Sequence, residues 1–260
     1  MTGAVLLLPP SEGKTPGGDG PPWRATTTGD GPLVPARREL VDALRTALQD
    51  PAVDPADVLR YGSAEVLAQA VETDLAVDDA ATLPAVERYA GVVLDGLDPA
   101  SLTAAARRRL LRSTWFVSGL WGLVAATDPI PDYRVKIGAK VPGIGVLGTW
   151  WRPHVSPVVD QLVGARLAWD LLTTEHGRVW RPGGTAGAIA TVAFTTRSKG
   201  TRGVSNYHGK HLKGRFARHL VTTDPGDLDA AAGFSSDGWE LDAGASTLAG
   251  DRPHLVFSAP

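Results

Sequence analysis

The side chains best suited to chemistry in this chain are its lysines and the hydroxyls and histidines near them. Twenty Arg stand against six Lys (Lys14, Lys136, Lys140, Lys199, Lys210 and Lys213), so arginine is the default cation and the retained lysines hint at specific use. Lysine is a compact point charge on a flexible stem that reaches into narrow sites and shifts its pKa when buried. Lys14 sits in Pro10-Ser11-Glu12-Gly13-Lys14-Thr15, just after the apolar run Ala4–Leu8. Gly-Lys-Thr has the look of a phosphate loop, but that loop needs a glycine five residues before Gly13, and Leu8 stands there. Pro9 and Pro10 also remove amide donors that would cradle phosphate. What survives is a lysine with the Ser11 and Thr15 hydroxyls at the carboxyl end of a strand, where ligands bind in α/β folds. A plain surface loop is the alternative.

Further cations cluster late in the chain. Between Tyr133 and Thr223 there are fourteen Arg and Lys against three acids, although the whole chain carries only −2. Such asymmetry bears on partners rather than on fold. Arg134 and Lys136 occupy alternate positions of Tyr133–Ile137, which reads as a strand and would put both on one face, suited to phosphate. Residues 195–223 hold Arg197, Lys199, Arg202, Lys210, Lys213, Arg215 and Arg218 with no acid, and His208, His211 and His219 between them. A solvated face normally mixes signs, so this segment reads as anion-binding. On the expected helix Tyr207–Val221, Lys213 falls within the apolar arc of Leu212, Phe216 and Leu220. It must reach a partner, meet an anion in a cleft, or snorkel to solvent. Gly233–Trp239 reads as a turn with an Asp237-Gly238 hairpin signal, with Ser235 and Asp237 as possible site residues.

Other chemistries are narrowed. The chain has no cysteine, which excludes disulfides, thiolate ligands and a cysteine nucleophile. Only His208/His211 among the six histidines has a suggestive spacing, with no carboxylate near, so no metal or cofactor is expected. No serine elbow or dinucleotide fingerprint is present. The run Ala4–Leu8 is too short for a signal-peptide core, and no segment reaches membrane-spanning length.

The elements that must position these groups follow from periodicity. Strands are expected at 4–8, 114–117, 133–137, 188–196 and 254–257. Helices are expected at 35–48, 57–71, 84–94, 101–111 (capped by Ser101), 155–172, 207–221 and 225–232. A helical first half and a strand-rich second half without a clear linker imply one mixed α/β (α+β) domain over residues 1–260, with a central sheet and surrounding helices.

Taken in order, the motifs resemble the YaaA family of peroxide-stress proteins. The likeness runs through Leu8–Lys14, Glu87–Val92, Ser118–Leu123 and Asp128–Arg134. It continues through Asn206, Lys210, Lys213-Gly214-Arg215, Arg218 and Gly233–Gly238. Asp170-Leu171-Leu172-Thr173 best matches an Asp-Leu-Arg-Ser run of many relatives, so Leu172 stands where they carry an arginine. The resemblance implies a mixed α/β fold with a basic cleft, a cytoplasmic location, DNA binding and a role in limiting oxidative damage to DNA.

Two functional readings follow. In the first, cations of 133–223 contact the phosphodiester backbone of DNA, with Trp150, Trp151 and Tyr207 as stacking residues. In the second, the chain is an enzyme on a small phosphorylated or nucleotide-like molecule. Lys14, Lys136, Lys213, Arg202 and Arg215 then hold the anion, and Lys14, Lys213 or Asp237 serves as base or nucleophile. The binding set common to both comprises Ser11, Lys14, Arg134, Lys136, Arg202, Asn206, Lys210, Lys213, Arg215, Arg218 and Ser235. A structural protein with an incidental basic face is the third possibility. Convergence of the cations in a pocket, or their spread over an open surface, separates the first two.

Overall fold

A computed structural model describes residues 3–26, 28, 31–183, 187–196, 202–203 and 206–259, the side chains at 202, 203 and 206 excepted. Arg197 and Lys199, and the side chains of Arg202 and Asn206, therefore lie outside the described residues.

The first strand, β1 (Val5–Leu8), is buried on both faces, which is what an unbroken Val-Leu-Leu-Leu run requires. The chain then passes through a long loop into helices α1 (Val34–Gln49), α2 (Pro55–Leu59) and α3 (Ala64–Leu75). Next come the short strand β2 (Thr82–Pro84) and helices α4 (Ala85–Arg88), α5 (Val92–Leu97) and α6 (Ala104–Ser113). The hairpin β3 (Thr114–Ser118) and β4 (Gly122–Ala125) follows, then the short strands β5 (Pro129–Pro131), β6 (Lys140–Val141) and β7 (Gly145–Val146). After them come α7 (Leu147–Trp150), α8 (Arg152–Val163), β8 (Ala168–Asp170), β9 (Ile189–Thr196) and β10 (Arg202–Gly203). Helices α9 (Asn206–Thr222) and α10 (Leu228–Ala232) and strands β11 (Glu240–Leu241) and β12 (His254–Ala259) complete the order.

Seven strands form the central sheet in the order β11-β12-β9-β8-β1-β3-β4, and β10 pairs onto β9. β12, β9, β8, β1 and β3 run parallel, while β4 and β11 are antiparallel edges. From β1 the chain crosses to β3 on one side, then returns to β8 on the other. β1 is thus the point where the strand order reverses, and a crevice opens there outside the carboxyl ends of β1, β3 and β8. The mixed α/β class agrees with the sequence reading.

Several boundaries differ for identifiable reasons. The expected helix 57–71 is two, because Arg60 turns left-handed (φ 61°) and Ser63 caps a new start. The expected helix 84–94 breaks at Tyr89–Gly91, with Gly91 at φ 149°. Thr103, not Ser101, caps α6 by accepting the Ala106 amide. The expected helix 155–172 conceals β8, whose three residues are too few to show a period. Residues 133–136, expected as part of a strand, form no regular element and pair with no described strand. Asp237 and Gly238 do form a hairpin turn, both with positive φ (50° and 82°) and bridged by Ser236 and Trp239.

Two packing devices hold the crevice in shape. Helices α5 and α9 cross in backbone contact: a Cβ on Gly214 would lie 2.1 Å from the Val93 carbonyl oxygen, and one on Gly96 2.3 Å from that of His211. Beneath α9, Phe216 meets Trp169 of β8 at 5.3 Å and Phe257 of β12 at 5.6 Å. The second device is arginine used as a staple. The fully buried Arg88 donates to the carbonyls of Thr15, Gly17, Ala81 and Ile130, tying the loop after β1 to β2 and β5. Arg37 does the same for Thr28, Trp121 and Leu123.

Candidate functional site

The loop after β1 is pressed onto the break between α4 and α5. Thr15 donates to the Arg88 carbonyl and Ala90 to that of Gly13, and a Cβ on Gly13 would meet Ala90 O at 2.7 Å. Lys14 is thereby turned inward. Its Nζ lies 4.1 Å from the Tyr133 ring centroid and 5.9 Å from that of Tyr89, and donates to the carbonyls of Ser11 (3.2 Å) and Glu12 (3.4 Å). The aromatic floor is fixed by hydrogen bonds: Tyr89 and Tyr133 hydroxyls at 2.9 Å, and Tyr133 with Ser118 at 2.7 Å. Burial pushes the Lys14 ammonium down to about 8, with Arg134 adding to the fall and Asp132, Asp74 and Glu12 opposing it.

Residues 132–137 form the opposite wall. They lie against Gly119, where a Cβ would come within 2.7 Å of the Lys136 carbonyl carbon. Asp74 reaches up from the end of α3 to accept the Arg134 amide at 2.6 Å. That carboxyl is only 3% exposed, and its Oδ2 has no partner among the described residues. Burial holds its pKa up at about 7, against the backbone amides and the Lys14 charge. Arg134 donates to Asp132 (3.1 Å) and to the Glu12 carbonyl (3.3 Å), and its Nε is buried and unpaired. Lys136 sits 3.9 Å over the Tyr61 ring and 3.6 Å from the Glu12 carboxylate. Burial raises Tyr61 to about 12.

These groups enclose a pocket of about 70 Å³ lined by Ser11, Lys14, Tyr61, Arg134 and Lys136. The pocket shares Pro10–Glu12, Glu175 and His176 with a larger cleft of about 700 Å³. That cleft runs between the 9–13 loop, residues 90–93, residues 173–176 after β8, and Lys210 of α9. Glu12 and Glu175 share the rim with the lysines, so the expected positively charged cleft is of mixed sign.

The sequence-derived candidates separate into two groups. Ser11, Lys14, Arg134 and Lys136 come together, and Lys210 faces the adjoining cleft. Lys213 donates to the carbonyls of Leu171 (3.2 Å) and Leu172 (2.8 Å), and burial lowers its pKa while Asp170 opposes the fall. It has found the partner that its place in the apolar arc demanded. Leu172 is buried, with its amide held by Asp170 at 3.0 Å. Arg215 pairs with Asp237 at 3.1 Å, and Arg218 donates to the carbonyls of Leu97 and Asp98. Ser235 and Asp237 line neither cavity. Trp151, expected to stack on bases, is fully buried and donates to the Gly119 carbonyl at 2.7 Å, whereas Tyr207 is 68% exposed.

The sequence reading missed Asp74, Tyr61, Glu175 and His176. Asp74 lies on an ordinary amphipathic helix, and only its burial sets it apart. His176 follows the hidden strand β8 and is fixed by Thr173, with Nδ1 and Oγ1 at 2.7 Å. Among the described residues no three His, Asp or Glu side chains gather to hold a metal ion. No described helix is long and apolar enough to cross a membrane.

A family model described as peroxide stress protein YaaA matches residues 5–245. A UPF0246 protein of Streptomyces coelicolor is 36% identical over 252 residues, covering 96% of this chain and 95% of its own length. UPF0246 proteins of Corynebacterium efficiens and Corynebacterium glutamicum are 35% and 34% identical, covering 84% and 85% of this chain.

Proposed function

The chain belongs to the YaaA family of peroxide-stress proteins, and from that premise we propose that it serves through a pocket for a small phosphorylated ligand centred on Lys14. The supporting observation is the convergence of Lys14, Arg134 and Lys136 on one pocket from two separate loops. A lysine whose pKa burial pushes down to about 8 is suited to both roles asked of it. Protonated, it binds an anion at short range; deprotonated, it is a base or nucleophile. Asp74, held up at about 7 and with an unpaired oxygen, is the nearby proton acceptor. Lys14 and Asp74 then titrate as a coupled pair, with the tyrosine hydroxyls fixing the floor.

DNA binding is the competing reading, implied by the family resemblance. It draws support from Lys210 and the exposed Tyr207 near the start of α9. It is weakened by Lys213, Arg215 and Arg218 each having an acceptor of its own.

Titrations of inorganic phosphate, ribonucleoside 5′-monophosphates and a short DNA duplex at several salt concentrations decide between them. The pocket reading expects small-anion binding lost in Lys14→Met and a shallow salt dependence. DNA binding with a log–log slope of roughly −0.9 per phosphate contacted, unaffected by Lys14→Met, overturns it.

A further inference from the structure

The Lys14 pocket is too small for more than a single oxyanion, yet it adjoins a cleft ten times its volume (about 70 against about 700 Å³). A cleft of that size lies in the usual range for small-molecule sites. Its chemistry changes with distance from Lys14. Nearest the pocket stand two carboxylates, Glu12 and Glu175, which repel a second anion and accept hydrogen bonds from hydroxyls. Beside them His176 lines both cavities. Burial, helped by Lys210, pushes its pKa down to about 4, so at neutral pH the ring is uncharged. The Thr173 hydroxyl lies 3.5 Å from the His176 amide and 2.7 Å from Nδ1. Accepting from the amide and donating to Nδ1, it leaves Nε2–H as a donor. The residues that line the cleft but not the pocket include the apolar Pro9, Ala90, Val92 and Val93, together with Thr173, Thr174 and Lys210.

Anion holder, hydroxyl acceptors, neutral donor and apolar wall thus line two adjoining cavities that share Ser11, Glu12, Glu175 and His176. We propose that the cleft is the second half of a bipartite site, which takes the sugar and base of a nucleoside monophosphate whose phosphate lies at Lys14. The sugar hydroxyls donate to Glu12 and Glu175. The Nε2–H of His176 donates to the base, which lies against Ala90 and Val92. The inference rests on the phosphate pocket proposed above and adds to it the chemical class of the rest of the ligand.

Calorimetric titration of inorganic phosphate and of the four ribonucleoside 5′-monophosphates into the wild type, Ala90→Trp, Thr174→Trp and Lys14→Met tests it. Ala90 is exposed on the cleft wall, so tryptophan there fills the cleft without entering the core. Thr174 is exposed on the opposite wall, lines the cleft but not the Lys14 pocket, and gives an independent variant. At least one monophosphate is expected to bind tenfold or more tightly than inorganic phosphate. Ala90→Trp and Thr174→Trp are expected to remove that advantage and leave phosphate affinity within twofold, whereas Lys14→Met weakens both ligands. If phosphate binding depends on Lys14 but no monophosphate binds more tightly, the bipartite site is wrong and the phosphate pocket stands. An advantage that survives in both cleft variants likewise overturns the bipartite site and spares the pocket. If Lys14→Met binds phosphate and monophosphates like the wild type, or the wild type binds neither, the phosphate pocket fails and the bipartite site with it.

Discussion

Lys14, Arg134 and Lys136 come from loops at the ends of strands; Lys213, Arg215 and Arg218 come from one turn and a half of a single helix. In sequence the second group is the more conspicuous, because it lies in a long acid-free segment. In the folded chain the ranking reverses. Lys213 satisfies two carbonyls at the end of β8, Arg218 two at the end of α5, and Arg215 one exposed carboxylate. Helix α9 spends these cations on fastening itself to its neighbours. The loop cations have acceptors too, but theirs are the exposed Glu12, the partly buried Asp132 and carbonyls, and an open volume stands in front of them. A row of charge along a helix therefore says little about a ligand until its acceptors are known. Convergence from distant segments says more.

The comparison can be broken by substitution, beginning with the largest effect. Gly214→Ala drives a methyl into the Val93 carbonyl, where the backbones of α5 and α9 touch. A loss of roughly 3 kcal/mol or more in unfolding free energy is expected, at the upper end of overpacking costs, and chemical denaturation reads it. A variant as stable as the wild type would show that α9 is not clamped there. Lys213→Met comes next. It strips the donor from the Leu171 and Leu172 carbonyls and should cost about 1–3 kcal/mol of stability, while phosphate affinity stays within twofold. Lost binding with unchanged stability would move Lys213 from the frame into the site.

Asp74→Asn probes the other group through pH. In the fold the Asp74 carboxyl keeps its proton up to about 7, whereas in the unfolded chain it releases it near its ordinary value of 3.8. Between those values the native state holds the extra proton, so the wild type loses stability as pH rises through that window. The asparagine variant should match the wild type near pH 4 and melt at a higher temperature at pH 7.5, by at least about 2 °C. Equal melting temperatures at both pH values would show that the buried carboxyl is not strained. Phosphate affinity has its own pH signature. Lys14 loses its proton at about 8, and anions bind the protonated form, so affinity should fall as pH rises through 8. A flat profile from pH 7 to 9 would remove Lys14 from the contact. The smallest effect belongs to Arg215→Ala, whose exposed pair with Asp237 is expected to be worth under about 1 kcal/mol and to leave phosphate binding unchanged.

Much of the frame was legible from periodicity. β1, α1, β3, β9 and α9 fall where Val-Leu-Leu-Leu, the Leu40/Leu44/Leu48 spacing and the apolar arc of Leu212, Phe216 and Leu220 put them. β8 was not, because three residues are too short to carry a period and a helix-like pattern precedes them. With β8 hidden, the reversal of strand order at β1 stayed hidden, and so did Glu175 and His176 on the loop that follows it. Lys14 was readable from its place after an apolar strand. Asp74 was not, since a carboxylate on an amphipathic helix is usually solvated, and only long-range packing of 132–137 over α3 buries this one. Arg134 and Lys136 border the same pocket although their segment forms no strand, so strand alternation is not what brings the two together.

The most direct trial of the phosphate pocket is anomalous diffraction from crystals soaked in tungstate, a heavy stand-in for phosphate. A peak is expected within hydrogen-bonding reach of Lys14 Nζ, between Arg134 and Lys136. Peaks confined to the outer side of α9, beside Arg215 and Arg218, with the Lys14 pocket empty, would contradict it.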